Sequence, residues 1–122
     1  MSDHSFSGLT THVLDTAHGK PAAGMAVALY VMQGDDWALL KQAHTNVDGR
    51  LDEPLLAGAA LVPGRYRLVF DVEAYFRSLG VDLPTPAFLG QVPLDFGMAD
   101  DTAHYHVPLL VSPWAYSTYR GS

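Results

Sequence analysis

Alternation of apolar and polar residues, the pattern of half-buried strands, recurs along most of this chain. In residues 9–15 the odd-numbered side chains face one way, and the even-numbered ones, including His12, face the other. Residues 25–32 are apolar on both faces, which predicts a central strand. Residues 37–45 and 65–71 alternate again. The second of these predicts an inward face made of Tyr66, Leu68 and Phe70.

Glycine and proline residues separate these segments. Asp48-Gly49 is a strong turn signal, because glycine adopts positive φ freely and aspartate bonds its own backbone. Residues 72–79 predict a short helix that ends at Gly80. Further strands are predicted at 91–98, 103–112 and 115–120. Residues 51–60 fit either a short strand or a loop.

About seven or eight short strands at roughly ten-residue spacing, with one helix, predict an all-β fold, an antiparallel β-sandwich. The 122 residues contain no repeat or linker, so we expect a single domain over residues 1–122 with a flexible segment at 1–7.

Composition excludes several classes of protein. The hydrophobic share of 48% is that of a globular protein, and the net charge of −6 argues against nucleic-acid binding. No cysteine is present to form a disulfide or a thiolate metal site. No apolar run is long enough to span a membrane, and residues 1–13 do not resemble a secretory signal. The expected location is cytoplasmic.

Histidines are the first candidates for chemistry, because imidazole exchanges protons near neutral pH. His104 and His106 are two apart on a predicted strand and therefore share a face. With His12 they form either a three-histidine zinc site or, as the favoured interpretation, a metal-free acid–base site. His104 also fits an inert packing role. The remaining histidines, His4, His18 and His44, fit the solvated surface.

Cationic and hydroxyl groups supply further candidates. Arg50 directly follows the Asp48-Gly49 turn, and its guanidinium suits a carboxylate or imide-like anion, although the spacing alone favours a surface arginine. Tyr119 fits a donor to an oxyanion or an interface side chain. Ser122 offers its hydroxyl, amide or terminal carboxylate.

Three blocks of sequence carry a resemblance to a known family. They are LTTHVLDTAHGKPAAGM at residues 9–25, TNVDGR at 45–50 and HYHVPLLVSPWAYSTYRGS at 104–122. Together they resemble the transthyretin-like family, in particular its 5-hydroxyisourate hydrolase branch, across nearly the whole chain. Departures from the family pattern are Ala115, where glycine is usual, and the residues 88–91 that enter the next strand.

The resemblance implies a transthyretin-like sandwich of two four-stranded sheets with one short helix. It also implies a homotetramer, a dimer of dimers, with sites at the subunit interface. The implied reaction hydrolyses 5-hydroxyisourate to 2-oxo-4-hydroxy-4-carboxy-5-ureidoimidazoline without a cofactor.

Carried onto this sequence, the implied catalytic residues are His12, Arg50 and His106. The implied substrate-binding residues are the chain end, Tyr119, Arg120, Gly121 and Ser122. A histidine, either His106 or His12, is expected to activate water as a general base. The alternative is a carrier without catalysis, but the resemblance implies that carriers lack the Tyr-Arg-Gly-Ser end.

Overall fold

The computed structural model describes residues 6–122. Its strands follow the chain in the order β1 (Gly8–Thr10), β2 (Val13–Asp15), β3 (Lys20–Pro21), β4 (Ala26–Gln33), β5 (Asp36–His44), β6 (Leu56–Ala57), β7 (Gly64–Asp71), β8 (Gln91–Met98), β9 (His104–His106), β10 (Leu109–Val111) and β11 (Tyr116–Ser117). A helix, α1 (Val72–Ser78), follows β7, and a short 3₁₀ turn, Gly58–Ala60, follows β6.

Strands β5, β4, β7 and β8 form one antiparallel sheet in that order. The doubly apolar segment at 25–32 becomes β4 and lies inside the sheet, as its sequence predicted. On β7 the side chains of Tyr66, Leu68 and Phe70 are buried, which confirms the predicted inward face.

The second sheet is divided into two sections, β6-β1-β9 and β11-β10-β2-β3. The prediction of unbroken strands at 9–15 and 103–112 was therefore wrong. The later strand is interrupted at Val107 and Pro108, where the Thr11 hydroxyl donates to the Val107 carbonyl at 2.7 Å. Opposite Pro108, the His12 carbonyl still accepts a hydrogen bond from the Leu109 amide at 2.9 Å, and the backbone of His12 also forms a bridge with Arg50. Both breaks place site candidates beside irregular backbone.

Two strand pairs in this second sheet are parallel, β1 with β9 and β2 with β10. The sandwich therefore contains both parallel and antiparallel pairs, whereas an antiparallel sandwich had been predicted. A hairpin imposes antiparallel pairing, but these partners come from opposite ends of the chain and no short turn connects them. Their register aligns Thr10 with His106.

The helix and the chain end define the remaining elements. The Asp71 side chain accepts a hydrogen bond from the Ala74 amide at 3.3 Å, and Gly80 at φ +79° follows the helix, as predicted. The predicted strand at 115–120 is shorter in the structure and ends at Ser117, after which the Thr118 hydroxyl donates to the Pro108 carbonyl. Residues 51–60 contain both β6 and the 3₁₀ turn.

One hydrophobic core joins the two sheets and makes the fold a sandwich. Leu9 and Leu109 contribute from the divided sheet, and Leu29 and Phe70 contribute from the continuous one, all of them fully buried.

Two further predictions concern the chain start and the membrane. Of the segment 1–7 expected to be flexible, residues 1–5 lie outside the described part. The Phe6 ring packs edge-on against the His104 ring at 5.1 Å. Within residues 6–122 no helix is long and apolar enough to cross a membrane.

Candidate active site

A cleft of about 380 Å³ opens beside the β1–β9 pair. The residues that line it come from three distant parts of the chain. They include Thr10, Arg50, His104, His106 and Ser122. Such a volume suits a single small ring compound. The three sequence blocks that carry the family resemblance therefore meet at one place.

His106 is held on both sides by its neighbours. Its ring Nδ1 lies 2.8 Å from the Thr10 hydroxyl, which the parallel register places beside it. Its backbone amide donates to the Gly121 carbonyl at 3.2 Å, and the Gly121 amide donates to the His106 carbonyl at 2.7 Å. A Cβ at Gly121 would lie only 3.2 Å from the His106 Cβ and Cδ2 atoms, so glycine permits this close approach.

Arg50 is held by the turn that precedes it. Asn46 Oδ1 accepts hydrogen bonds from the amides of Asp48 and Arg50, at 2.9 and 3.1 Å. Gly49 adopts φ +76°, which only glycine adopts at little cost. The Val13 amide donates to the Gly49 carbonyl at 2.8 Å, so the turn is fastened to the strand that follows His12. This fastening supports the His12–Arg50 backbone bridge.

The electrostatics of the cleft favour neutral imidazoles. Burial lowers the pKa of His106 below its usual value, and the nearby Arg50, His104 and His12 lower it further. Burial and then Arg50 lower the pKa of His12 in the same way. A cation beside an imidazole disfavours its protonated form. Both side chains are therefore ready to accept a proton at neutral pH.

The four residues predicted for substrate binding do not all lie in the cleft. Ser122 lines it, and Gly121 pairs with the backbone of His106. Tyr119 and Arg120 instead line a separate pocket of about 490 Å³ beside β8. There the Arg120 guanidinium stacks 4.4 Å over the Tyr105 ring. Within one subunit these two side chains face away from the histidine cleft.

Sequence reasoning missed the role of Thr10 and undervalued His104. The Thr10 hydroxyl also lies 2.9 Å from Nε2 of His104, so it touches both histidines of the HYH segment. The alternation pattern could have indicated Thr10, because Thr10 and His12 face the same side of the predicted strand. Among residues 6–122 no three His, Cys, Asp or Glu side chains are grouped to hold a metal ion.

The other histidines have separate surroundings. His18 is exposed, as expected, with 39% of its side chain accessible, and its Nδ1 also lies 2.6 Å from Asp15 Oδ2. Asp15 is fully buried and also accepts a hydrogen bond from the Tyr75 hydroxyl at 2.8 Å. His44 is exposed at the end of β5, and His4 lies outside the described residues.

Comparison with known proteins bears on the family and the fold. A family model described as HIUase/Transthyretin family matches residues 9–121. The chain is 60% identical over 114 residues to 5-hydroxyisourate hydrolase 2 of Rhizobium meliloti, covering 93% of this chain and 95% of that one.

Two solved structures are also similar. The crystal structure of (S)-allantoin synthase aligns with a TM-score of 0.90 at 42% identity, over 98% of this chain but only 45% of that longer one. The structure of 5-hydroxyisourate hydrolase from Klebsiella pneumoniae aligns with a TM-score of 0.78 at 34% identity, over 95% and 99% of the two chains. The predicted fold class, an all-β transthyretin-like sandwich with one short helix, is confirmed, apart from the parallel pairs and the divided sheet described above.

Proposed function

This chain belongs to the HIUase/Transthyretin family, and on that premise we propose that it is a 5-hydroxyisourate hydrolase. The substrate is the one named for its relatives from Rhizobium meliloti and Klebsiella pneumoniae. The product is 2-oxo-4-hydroxy-4-carboxy-5-ureidoimidazoline. Carriers in the same family are the alternative class, and the cleft chemistry argues for the enzyme.

The observation that carries the proposal is the meeting of a base, a cation and a hydroxyl-bearing chain end in one cleft. His106, Arg50 and Ser122 all line it. The lowered pKa of His106 keeps its imidazole in the basic form. A hydrolase needs a base to activate water and donors to stabilise the oxyanion that forms. A carrier needs neither.

The reaction follows from these roles. His106 takes a proton from water, and the resulting hydroxide adds to a ring carbonyl of the substrate. The Arg50 guanidinium offers several donors to the oxygens of the substrate and so steadies the growing negative charge. The ring C–N bond then breaks, and the leaving nitrogen receives the proton from the imidazole. One water is consumed and the ring opens.

His12 is the second candidate for the base. Its backbone is bridged to Arg50, and Arg50 also lowers its pKa. Its side chain is partly buried but does not line the cleft of the single subunit. We assign His106 as the base that takes the proton from water. We assign His12 as a neighbour that helps to lower the pKa of His106.

We propose that the protein assembles as a homotetramer, with Tyr119 and Arg120 completing the site across a subunit interface. Support comes from the large apolar side chains exposed in the single subunit. Phe88 is 67% exposed, Trp114 58% and Tyr119 59%. Such aromatic side chains are enriched in protein interfaces. Sedimentation of the 13.2 kDa chain tests the assembly, and a monomer at micromolar concentration contradicts it.

A single assay tests the activity. Urate oxidase generates 5-hydroxyisourate in the cuvette, and the decay of its ultraviolet absorbance is followed with and without the protein. The expected result is faster decay that persists after dialysis against a chelator. Unchanged decay together with binding of a thyroid hormone would make the protein a carrier. Loss of activity on chelation with recovery on adding zinc would contradict the metal-free mechanism.

A further inference from the structure

The contact between Thr10 and two histidines is not explained by the mechanism above. Parallel pairing of β1 with β9 aligns Gly8 with His104 and Thr10 with His106. Because alternate residues on a strand share a face, the three side chains lie together on one side of the sheet. The Thr10 Oγ1 atom lies 2.9 Å from His104 Nε2 and 2.8 Å from His106 Nδ1. Both distances are those of hydrogen bonds.

Hydrogen-bond bookkeeping limits how this contact can be arranged. A hydroxyl has one proton to donate, and it accepts through its lone pairs. A base at His106 Nε2 requires that the proton of the neutral ring be on Nδ1. His106 Nδ1–H then donates to Thr10 Oγ1, and the Thr10 hydroxyl donates to His104 Nε2. In this arrangement His106 Nδ1, Thr10 Oγ1 and His104 Nε2 are all hydrogen-bonded.

We infer that Thr10 is a positioning residue of the proposed hydrolase: its hydroxyl holds His106 in the Nδ1–H tautomer and connects it to His104, with which it shares the proton taken from water. The inference rests on the proposed function for its consequence in catalysis. The tautomer itself is a property of the protein without substrate. Free neutral histidine divides between two tautomers, and the hydrogen bond made by one nitrogen decides the form of the other.

Proton transfer through this chain is balanced at each step. His106 Nε2 takes a proton from the water that adds to the carbonyl. Its Nδ1 proton passes to Thr10 Oγ1 while the Thr10 proton passes to His104 Nε2, so the positive charge moves to His104. The reverse shift returns the proton as His106 Nε2–H protonates the leaving ring nitrogen. Thr10 and both histidines end as they began.

Surroundings of His104 fit this role. The Phe6 ring packs against it at 5.1 Å, and the two imidazole centroids are 6.3 Å apart. His104 therefore has an aromatic support on one side and Thr10 on the other. The Thr10 hydroxyl lies within 2.9 Å of both rings and is therefore the short route between them. His104 was the residue for which the sequence fitted an inert role.

The first test is kinetic and uses matched substitutions. Thr10→Val keeps the β-branched shape and removes the hydroxyl, whereas Thr10→Ser keeps the hydroxyl. We expect Thr10→Val to lower kcat about 10- to 100-fold with little change in KM, as for partners that orient a working imidazole. Thr10→Ser should retain most of the activity. Thr102→Val removes an exposed hydroxyl bonded to Asp100 and serves as the control.

The second test does not depend on activity. Nitrogen-15 NMR of the histidine rings distinguishes Nδ1–H from Nε2–H. In the unsubstituted protein we expect His106 to be protonated at Nδ1, and in Thr10→Val to shift toward Nε2–H. Circular dichroism checks that each variant is folded. The same tautomer in both folded proteins would overturn the inference.

A third variant separates positioning from proton sharing. In His104→Gln the side-chain oxygen can still accept from Thr10, but it cannot take up a proton. We expect the His106 tautomer to be unchanged and kcat to fall. Normal kcat in this variant would overturn proton sharing. If the unsubstituted protein fails to hydrolyse 5-hydroxyisourate, the proposed function fails, while the tautomer measurement still decides the role of Thr10.

Discussion

The backbones of His106 and Gly121 exchange two hydrogen bonds, with N···O distances of 3.2 and 2.7 Å. This pair brings the last residue, Ser122, to the cleft that His106 lines. Chain ends usually fray unless they are tied down. Here the pairing partner is the proposed base itself, so the position of the chain end and the geometry of the site depend on each other.

Extending the carboxyl end should impair activity. A tag after Ser122 removes the terminal carboxylate and adds bulk at the cleft, whereas a tag before Met1 is the matched control. We expect the first to lower kcat/KM and the second to leave it close to that of the untagged protein. Steady-state kinetics of both fusions, and of the first after proteolytic removal of its tag, measure this. Equal activity from the two fusions would show that the end has only a structural role.

Replacing either proposed working histidine should slow the reaction. His106→Asn removes the base, and we expect kcat to fall ~10²–10⁴-fold, the usual contribution of general acid–base catalysis. His12→Asn should produce a smaller loss. The control is His44→Asn, because His44 is exposed at the end of β5. Near-normal turnover in both of the first two variants would contradict the assignment.

The pH profile should respond to Arg50. The pKa values of His106 and His12 lie below the ordinary 6.5, because of burial first and of Arg50 second. Their neutral forms therefore persist to lower pH, and the acid limb of kcat/KM should lie below pH 6.5. In Arg50→Gln one cause is gone, so both pKa values rise and the limb moves to higher pH. A profile over about pH 5 to 8 measures it.

An arginine control separates this effect from a general loss of charge. Arg65→Gln on β7 removes one positive charge from the other sheet. It should leave the acid limb in place. A limb that moves equally in both variants would contradict a local role for Arg50.

Gly49→Ala should destabilise the fold more than Gly19→Ala. Both glycines have positive φ, +76° and +68°, where a side chain costs about 1–2 kcal/mol. A Cβ at Gly49 would also collide with the Val13 carbonyl, whereas one at Gly19 meets nothing within 4 Å. Urea unfolding of the two variants compares them. Equal losses would show that the turn adapts to the added methyl group.

Tyr75→Phe should weaken the fold and make it more sensitive to acid. Burial acts to raise the pKa of Asp15, but hydrogen bonds from Tyr75 and His18 outweigh it and lower the pKa below 3.8. The stability from Asp15 is therefore present above that value and is lost as pH falls through the lowered pKa. Without the Tyr75 hydroxyl we expect a loss of about 1.5–3 kcal/mol at neutral pH and acid unfolding at higher pH.

The control for this variant is Tyr30→Phe. Tyr30 is on β4 and is only partly buried, and its hydroxyl makes no hydrogen bond among residues 6–122. Thermal unfolding at several pH values should leave it close to the unsubstituted protein. Matching acid sensitivity in the two variants would mean that the Asp15 contact contributes nothing.

Local patterns predicted the continuous sheet well and the divided one less well. Alternation in β7 identified Tyr66, Leu68 and Phe70 as buried, because the period of two is a property of the strand itself. The break at Thr11–His12 could not be seen in the same way. The partners there are Val107 and Leu109, almost a hundred residues away, together with Arg50, and no local pattern contains them.

The candidate site shows the same limit. Sequence blocks indicated His12, Arg50 and His106, and in the structure the backbones of His12 and Arg50 are bridged and both residues lower the pKa of His106. Nothing in the sequence connected Thr10 with His104, because that contact depends on the register of a parallel pair. Tyr119 and Arg120 belong to the same terminal motif as Ser122, yet they line another pocket, and nothing in the motif itself indicates that difference.

The parallel pairing of the two chain ends also has a kinetic consequence. Thr10 and His106 are 96 positions apart, so the cleft exists only after nearly the whole chain has been closed into a loop. Contacts of such long range form late and slow folding, because the chain loses the entropy of loop closure before the contacts stabilise it. The β4–β5 hairpin, in contrast, needs only a short turn. During refolding, strand content should return before catalytic competence, and activity then reports completion of the fold.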